Sequence, residues 1–204
     1  MKKIVCTVFS LVWAVTAFSQ SAAEIVLKMQ DYVGEHESEG ISFKEDLISF
    51  YNAGNKYCII SDKSIWYTDF DNQRKWVYTA DNKEIETSAA TVEDANTIGN
   101  YYNGLDYIKP AYRYKITDET DDAWVITGKK KLLTQYQDAA KKVEFTIKKD
   151  TYQPVSVAFY DVIDGEPSDV IEITRKTDIR FGVSEQEVTF NSGDYPDVTF
   201  ISSL

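Results

Sequence analysis

Short apolar segments that alternate with polar residues constrain this chain more than any other feature of the sequence. The cleanest example is 142–148, where Val143, Phe145 and Ile147 alternate with charged and polar side chains. A two-residue period places all three on one face of a β-strand, whereas a helix would need a period of 3.6 residues. The same period recurs from residue 41 onward, which predicts a mainly β protein.

Turn residues separate these segments at the spacing of hairpins, as in 53–55 (Ala-Gly-Asn) and 81–82 (Asp-Asn). Such short connections join antiparallel neighbours, because a parallel pair needs a long crossover. We therefore expect about ten antiparallel strands in a single domain. The clearest predicted strands are 56–62, 64–69, 74–80, 83–87, 112–116, 124–127, 142–148, 155–160 and 170–177.

A helix is predicted before the first strand, over about residues 22–34. Ser21 and Glu24 have the spacing of a capping box, in which each side chain bonds the backbone of the other residue. The apolar residues that follow at helical spacing are Ile25, Val26, Met29 and Val33.

A second helix is predicted over about residues 91–105, where Thr91 can cap the first turn and Gly104 can end the last. A sheet of this size curls, and its apolar concave face must be covered. The two amphipathic helices are the available cover. The residues that share one face of the second helix are Val92, Ala95, Ile98 and Tyr102.

The N-terminus has the pattern of a secretory signal peptide. Lys2 and Lys3 precede an uncharged apolar run over 4–18, and 17–19 ends in small residues. Cleavage after Ser19 would leave 20–204 as the single exported domain. Cys6 lies too early in the run to carry a lipid after cleavage, so we expect a soluble protein and not a lipoprotein.

Composition and motifs argue against several classes of function. The net charge of −11 disfavours binding to nucleic acid and to anionic bilayers. One His and two Cys offer little for a metal site or a Cys–His nucleophile. The sequence has no Gly-rich phosphate loop, G-x-S-x-G elbow or H-E-x-x-H motif. We therefore expect no enzyme, no cofactor and no metal, and we expect Cys58, within an apolar run, to be a buried thiol.

Several segments together resemble the periplasmic outer-membrane lipoprotein carrier family, LolA. Residues 62–67 (D-K-S-I-W-Y) are similar to the family's D-G-K-x-L-W-x-Y hairpin, and 74–78 with 82–86 resemble the strand pair after it. Residues 195–204 (Y-P-D-V-T-F-I-S-S-L) are similar to the close of many members. The order of signal peptide, helix, meander, helix and second meander agrees with the family over nearly all of 20–204.

The resemblance implies a curled, unclosed antiparallel β-barrel covered by a helical lid, with both α and β structure. It also implies a monomeric periplasmic carrier that shields the acyl chains of lipoproteins. Its partners would be the inner-membrane transporter that releases lipoproteins and an outer-membrane acceptor. The family's early-strand Arg, which holds the lid, is not matched, since 43–47 has Lys44 as its only cation.

Two sets of residues follow as site candidates, although a two-residue period does not tell which face of the sheet is concave. The predicted lining of the apolar cavity is Ile59, Trp66, Trp76, Tyr78, Phe145, Ile147, Val157 and Phe159. The predicted lid residues are Val26, Met29, Val33, Ile98 and Tyr102.

The 14 Tyr, 10 Phe and 4 Trp leave other interpretations open. The aromatic side chains could form core and cross-strand pairs, or they could form a surface platform that binds a glycan or another protein. A third possibility is a structural or envelope-stress role without lipid cargo. A carrier predicts aromatic residues inside the curl, whereas a platform predicts them exposed.

Overall fold

The structure is a computed structural model of the chain. The predicted signal peptide, 1–19, and the predicted end of the second helix at Gly104 lie outside the described residues. The residues described are 20–102, 111–132, 135, 139–162 and 170–203.

The first helix, α1, covers Ala22–His36, which confirms the predicted start and extends the predicted end by two residues. The Ser21 backbone N–H donates to the Glu24 carboxylate at 2.8 Å, and the Glu24 N–H donates to the Ser21 hydroxyl at 3.3 Å. This reciprocal cap satisfies two N–H groups that the first turn would otherwise leave without partners.

Six antiparallel strands follow α1 as a meander. Short turns join them, and the turn residues Gln73 and Lys83 adopt left-handed φ angles of 53° and 51°. The strands are β1 (Ile41–Glu45), β2 (Ile48–Ala53), β3 (Lys56–Ile60), β4 (Ser64–Asp69), β5 (Arg74–Thr79) and β6 (Glu84–Ala89).

The second helix, α2, covers Val92–Tyr102 and interrupts the strands as predicted. Ile98 is buried, but Val92 is exposed and does not belong to the buried face. The Thr91 N–H and hydroxyl both donate to the Asp94 carboxylate, and the Asp94 N–H donates to the Thr91 hydroxyl, so Thr91 caps the helix.

The second half of the chain adds six more strands and a short helix. The strands are β7 (Tyr112–Glu119), β8 (Ala123–Lys130), β9 (Lys142–Lys148), β10 (Pro154–Val162), β11 (Val170–Phe181) and β12 (Thr199–Ser202), with helix α3 (Glu185–Val188) before β12.

All of these strands lie in one sheet, in the order β12-β6-β5-β4-β3-β2-β1-β11-β10-β9-β8-β7. The described residues thus form twelve strands, compared with the predicted number of about ten. β12 pairs with β6 in parallel, which corrects the expectation of a wholly antiparallel sheet. The two end strands, β12 and β7, do not pair in the described part of the chain, so the barrel is unclosed.

The sheet curls strongly around one apolar core. Ile59 on β3 and Tyr112 on β7 belong to the same buried cluster, although seven strand spacings separate their strands. In a flat sheet that separation would be about 34 Å, so the two strands meet only because the sheet bends. The core therefore lies on the concave face, and the predicted curled, mainly β architecture is confirmed.

A glycine allows close packing inside the curl. A Cβ atom added at Gly128 would lie 2.8 Å from the Tyr114 ring and 2.8 Å from a Val143 methyl group. Only a residue without a side chain allows these two groups to close over β8.

Candidate functional site: the apolar concave face

The concave face unites most of the predicted cavity residues. Ile59 on β3, Phe145 and Ile147 on β9, and Val157 and Phe159 on β10 are all buried in one cluster. The pairing of Val157 with Phe145 and of Phe159 with Val143 places β9 and β10 side chains on the same face. The strand alternation seen in the sequence is therefore the alternation between the core and the outer surface.

The two helices supply the other side of this cluster. Val26 and Met29 of α1 and Ile98 of α2 are buried within it, and Val33 is buried at the end of α1. The helices thus cover the concave face, as predicted for a lid. The Tyr102 side chain, the remaining lid candidate, lies outside the described part of the structure.

Trp66 also lies on the concave side, because it pairs with Ile59 across β3 and β4. It is 37% exposed, and its indole N–H donates to the Ser64 hydroxyl at 3.1 Å. Trp66 is therefore the most accessible of the predicted lining residues on this side of the sheet.

Trp76 and Tyr78 lie on the opposite, outer face, so the structure does not bring them together with the other candidates. Trp76 pairs with Tyr67, and its ring stacks on Phe190 at 5.1 Å between centroids. The rings of Tyr78 and Tyr195 are in contact, with 5.1 Å between their centroids. Residues of the C-terminal segment, 183–203, thus cover these two side chains, and we do not include them in the cavity.

A buried ion pair interrupts the apolar concave face, and no pattern in the sequence indicates it. The Lys176 ammonium lies 2.8 Å from the Glu45 carboxylate and 4.1 Å from the centroid of the Phe43 ring. The Thr174 hydroxyl donates to the same carboxylate at 2.6 Å. Burial lowers the pKa of Lys176, while Glu45 acts in the opposite direction.

A register irregularity explains why the sequence does not predict this pair. Strict alternation would place Glu172, Thr174 and Lys176 on one face. The register shifts between Phe159 and Tyr160, so Thr174 and Lys176 lie on the concave face while Glu172 bonds Arg175 on the outer face. An extra residue in one strand is not visible as a pattern in the sequence.

A second ion pair anchors the beginning of α2 to the sheet. The Lys75 ammonium of β5 donates to the Asp94 carboxylate at 2.7 Å, and both side chains are mostly buried. Burial acts to raise the pKa of Asp94, but the hydrogen bonds from Lys75 and Thr91 outweigh it and hold that pKa below its usual value. This contact holds the first turn of α2 against β5.

The outer face has its own small core. Cys58 is buried there with Val183 and Val188, as predicted for this thiol, and burial raises its pKa to about 12. Residues 183–188 therefore close this part of the outer surface and do not contribute to the concave site.

Metal ligands and membrane spans are not found among the described residues. No group of three or more His, Cys, Asp and Glu side chains in those ranges could hold a metal ion. Of the helices described, none is both long and apolar enough to cross a membrane.

Comparison with known proteins gives distant likenesses only. No protein-family model matches the chain, and no curated protein matches it. Among solved structures, an uncharacterized conserved protein from Thermus thermophilus is similar at 12% identity, over 90% of this chain and 99% of its own, with a TM-score of 0.39.

Two further solved structures are similar at comparably low identity. A LolA superfamily protein from Nitrosomonas europaea is 9% identical, over 86% of this chain and all of its own, with a TM-score of 0.31. A putative outer membrane lipoprotein-sorting protein domain from Vibrio parahaemolyticus is 13% identical, over 82% of this chain and 97% of its own, with a TM-score of 0.31. The architecture described above rests on the strand order and packing of this chain itself.

Proposed function

We propose that this protein is an exported carrier that shields the acyl chains of lipoproteins against the apolar concave face of its curled sheet. The observation that carries the proposal is that two amphipathic helices, and not a second sheet, cover this face. A helix can move away from a sheet without breaking any strand pairing. The cover can therefore open while the sheet keeps its fold.

Exposing the acyl chains of a lipoprotein to water has a large free-energy cost. Each methylene exposed to water costs about 0.8 kcal/mol, and a triacylated lipoprotein has on the order of forty methylenes. The acyl chains would take the place of the contacts that Val26, Met29 and Ile98 make with the sheet. Apolar contacts have no fixed direction, so they suit a cargo that must be bound and then released.

The proposed route leads from the inner membrane across the periplasm to the outer membrane. The signal peptide pattern and the family resemblance support export to the periplasm of a Gram-negative bacterium, loading by an inner-membrane transporter and delivery to an outer-membrane acceptor. Release then needs only an acceptor of higher affinity, so the carrier itself needs no nucleotide, metal or catalytic residue.

The aromatic-platform alternative has less support. Two of the aromatic side chains it would use, Trp76 and Tyr78, are in contact with Phe190 and Tyr195 of the same chain. A glycan or partner protein would first have to displace these rings.

The test is equilibrium binding of a synthetic triacylated lipopeptide that carries a dye, followed by the fluorescence anisotropy of the dye, so that the readout does not depend on the protein's own tryptophans. We expect Trp66→Asp to weaken binding at least several-fold, because it places a charge beside the concave face at an accessible position. Phe145→Asp should abolish binding if that variant folds. Leu27→Asp, on the exposed side of α1, is the matched control and should bind as the wild type does.

Circular dichroism establishes which variants are folded. If Trp66→Asp and Phe145→Asp both fold and bind the lipopeptide with wild-type affinity, the concave face is not the acyl site. If Phe145→Asp does not fold, Trp66→Asp decides the question alone.

A further inference from the structure

A basic groove lies on the outer face of β7 and β8, at the edge of the sheet. It has a volume of about 750 Å³. Such a concentration of positive charge is unexpected in a chain whose net charge is −11. Its lining residues are Arg113, Lys115, Thr117, Thr127, Lys129, Lys130, Lys131 and Leu132, and together we call them the basic groove.

The cations of the basic groove are not neutralised as those of the neighbouring strands are. On the adjoining outer surface, Lys142 pairs with Glu144 at 3.6 Å, and Arg175 pairs with Glu172 at 2.6 Å. Within the basic groove, four cations make no ion pair with any residue that the structure describes. These four are Arg113, Lys115, Lys129 and Lys131.

Strand pairing concentrates this charge. Arg113 of β7 lies directly opposite Lys129 of β8, and Lys115 lies opposite Thr127. Like charges on paired positions repel and destabilise a sheet. The arrangement therefore costs stability, and a partner of negative charge would relieve that cost.

Protection of the sheet edge accounts for only part of the arrangement. β7 is an end strand of the sheet, and lysine or arginine on an end strand discourages pairing with another chain. Lys129 and Lys131, however, lie on or after β8, which β7 and β9 flank on both sides. Edge protection does not need these two cations, so a ligand is the better explanation for them.

The groove offers the chemistry that a phosphate group needs. Lysine and arginine supply positive charge and hydrogen-bond donors, and Thr117 and Thr127, whose hydroxyls bond each other at 3.1 Å, line the groove between the cations. Leu132, directly after Lys131, is fully exposed to solvent. A large apolar side chain beside a row of lysines is the composition of segments that dock at a bilayer surface.

We propose that the basic groove docks the protein on the anionic phospholipid headgroups of a membrane surface. Charges act locally in salt solution, over about 8–10 Å, so the groove attracts headgroups despite the net negative charge of the chain. The acidic remainder of the surface is repelled, which would orient β7 and β8 toward the membrane. This inference needs no acyl cargo, so it does not depend on the proposed function.

The experiment is co-sedimentation of the purified protein, without lipopeptide, with vesicles of phosphatidylglycerol and phosphatidylethanolamine, and separately with vesicles of phosphatidylcholine. We expect binding to the anionic vesicles only, and we expect added salt to weaken it. The double variant Lys115→Glu/Lys129→Glu should bind the anionic vesicles roughly tenfold more weakly or worse. The milder Lys129→Gln/Lys131→Gln should give an intermediate loss.

The matched control is Lys63→Glu/Lys83→Glu, which makes the same change in net charge at exposed turns of the meander. It should lose little vesicle binding. Equal loss in both double variants would show an effect of net charge and overturn the assignment to the groove. Equal binding of wild type and Lys115→Glu/Lys129→Glu would overturn it as well.

Two outcomes separate this inference from others. If the wild type does not bind anionic vesicles but binds polyglutamate through Lys115 and Lys129, the groove binds an acidic peptide and the membrane proposal is wrong. Lipopeptide binding measured on the same variants keeps the two proposals distinct, because substitutions in the groove should leave acyl binding intact.

Discussion

The Lys176 ammonium group lies 2.8 Å from the Glu45 carboxylate on the concave face of the sheet, beside the apolar core. Lys176 is almost wholly buried, whereas the Glu45 side chain keeps 22% of its exposure. The two partners of this pair therefore depend on each other unequally.

We expect substitution of Glu45 and substitution of Lys176 to lower the free energy of unfolding by different amounts. Glu45→Ala should lower the free energy of unfolding by about 3 kcal/mol, because it removes a carboxylate partner of a buried ammonium group. Lys176→Met should cost less than about 1 kcal/mol, since a similar apolar side chain fills the site and Glu45 still reaches solvent. Urea denaturation of both variants measures the difference.

Lys44→Met is the control for this comparison, because Lys44 adjoins Glu45 on the same strand but makes an exposed ion pair with Asp178. It should leave unfolding nearly unchanged, as exposed pairs contribute little. A larger loss for Lys176→Met than for Glu45→Ala would contradict the burial argument.

The Lys75–Asp94 pair should control how firmly α2 covers the concave face. Asp94→Asn removes a charge-assisted bond at the first turn of α2 and should cost roughly 1 kcal/mol. We expect amide exchange in 92–98 to become several-fold faster, while exchange in β9 stays the same. Hydrogen-exchange mass spectrometry measures both regions in one experiment.

The same pair predicts the sign of a pH effect. Because the pKa of Asp94 is held below its usual value, its stabilising contribution is complete above an ordinary aspartate pKa of about 3.9. It is lost as the pH falls through the lowered pKa. Protection of α2 should therefore decrease in acid in the wild type, and this decrease should be smaller in Asp94→Asn.

Local features of the fold can be predicted from the sequence because their causes lie within a few residues. The Ser21–Glu24 cap depends on residues three apart, and the predicted bounds of β4, Ser64–Asp69, are those of the structure. The alternation of Phe145 and Ile147 likewise follows from adjacent residues. Such local patterns can be recognised without knowledge of the rest of the chain.

Features that depend on distant contacts cannot be predicted in the same way. Trp76 and Phe145 both lie in segments where apolar and polar residues alternate. Trp76 is nevertheless on the outer face, where Phe190, more than a hundred residues away in the sequence, covers it. The concave position of Lys176 depends on the irregularity beside Phe159, and the parallel pairing of β12 joins remote parts of the chain. Period alone therefore predicts the two faces of each strand but not which face is inside.

Phe190 should hold the C-terminal segment on the outer face. It stacks on Trp76 at 5.1 Å with an angle of 15° between rings, and such pairs add roughly 0.5–1.5 kcal/mol to the burial they provide. Phe190→Ala should therefore expose Trp76 and increase acrylamide quenching of tryptophan fluorescence. Ile201→Ala, at an exposed position of the same segment, is the control and should be quenched as the wild type is. Unchanged quenching in Phe190→Ala would show that the segment is held elsewhere.

Cys58 should be unreactive in the folded protein. It is 1% exposed among Val183 and Val188, and burial raises its pKa to about 12, so almost no thiolate forms near neutral pH. Only the thiolate attacks an alkylating reagent, so two effects oppose reaction. Iodoacetamide at pH 8 should leave the Cys58 peptide unmodified in buffer and label it fully in urea, as mapped by mass spectrometry. Val188→Ala, which opens the cover over the thiol, should give an intermediate rate, and rapid labelling of the folded wild type would refute the buried position.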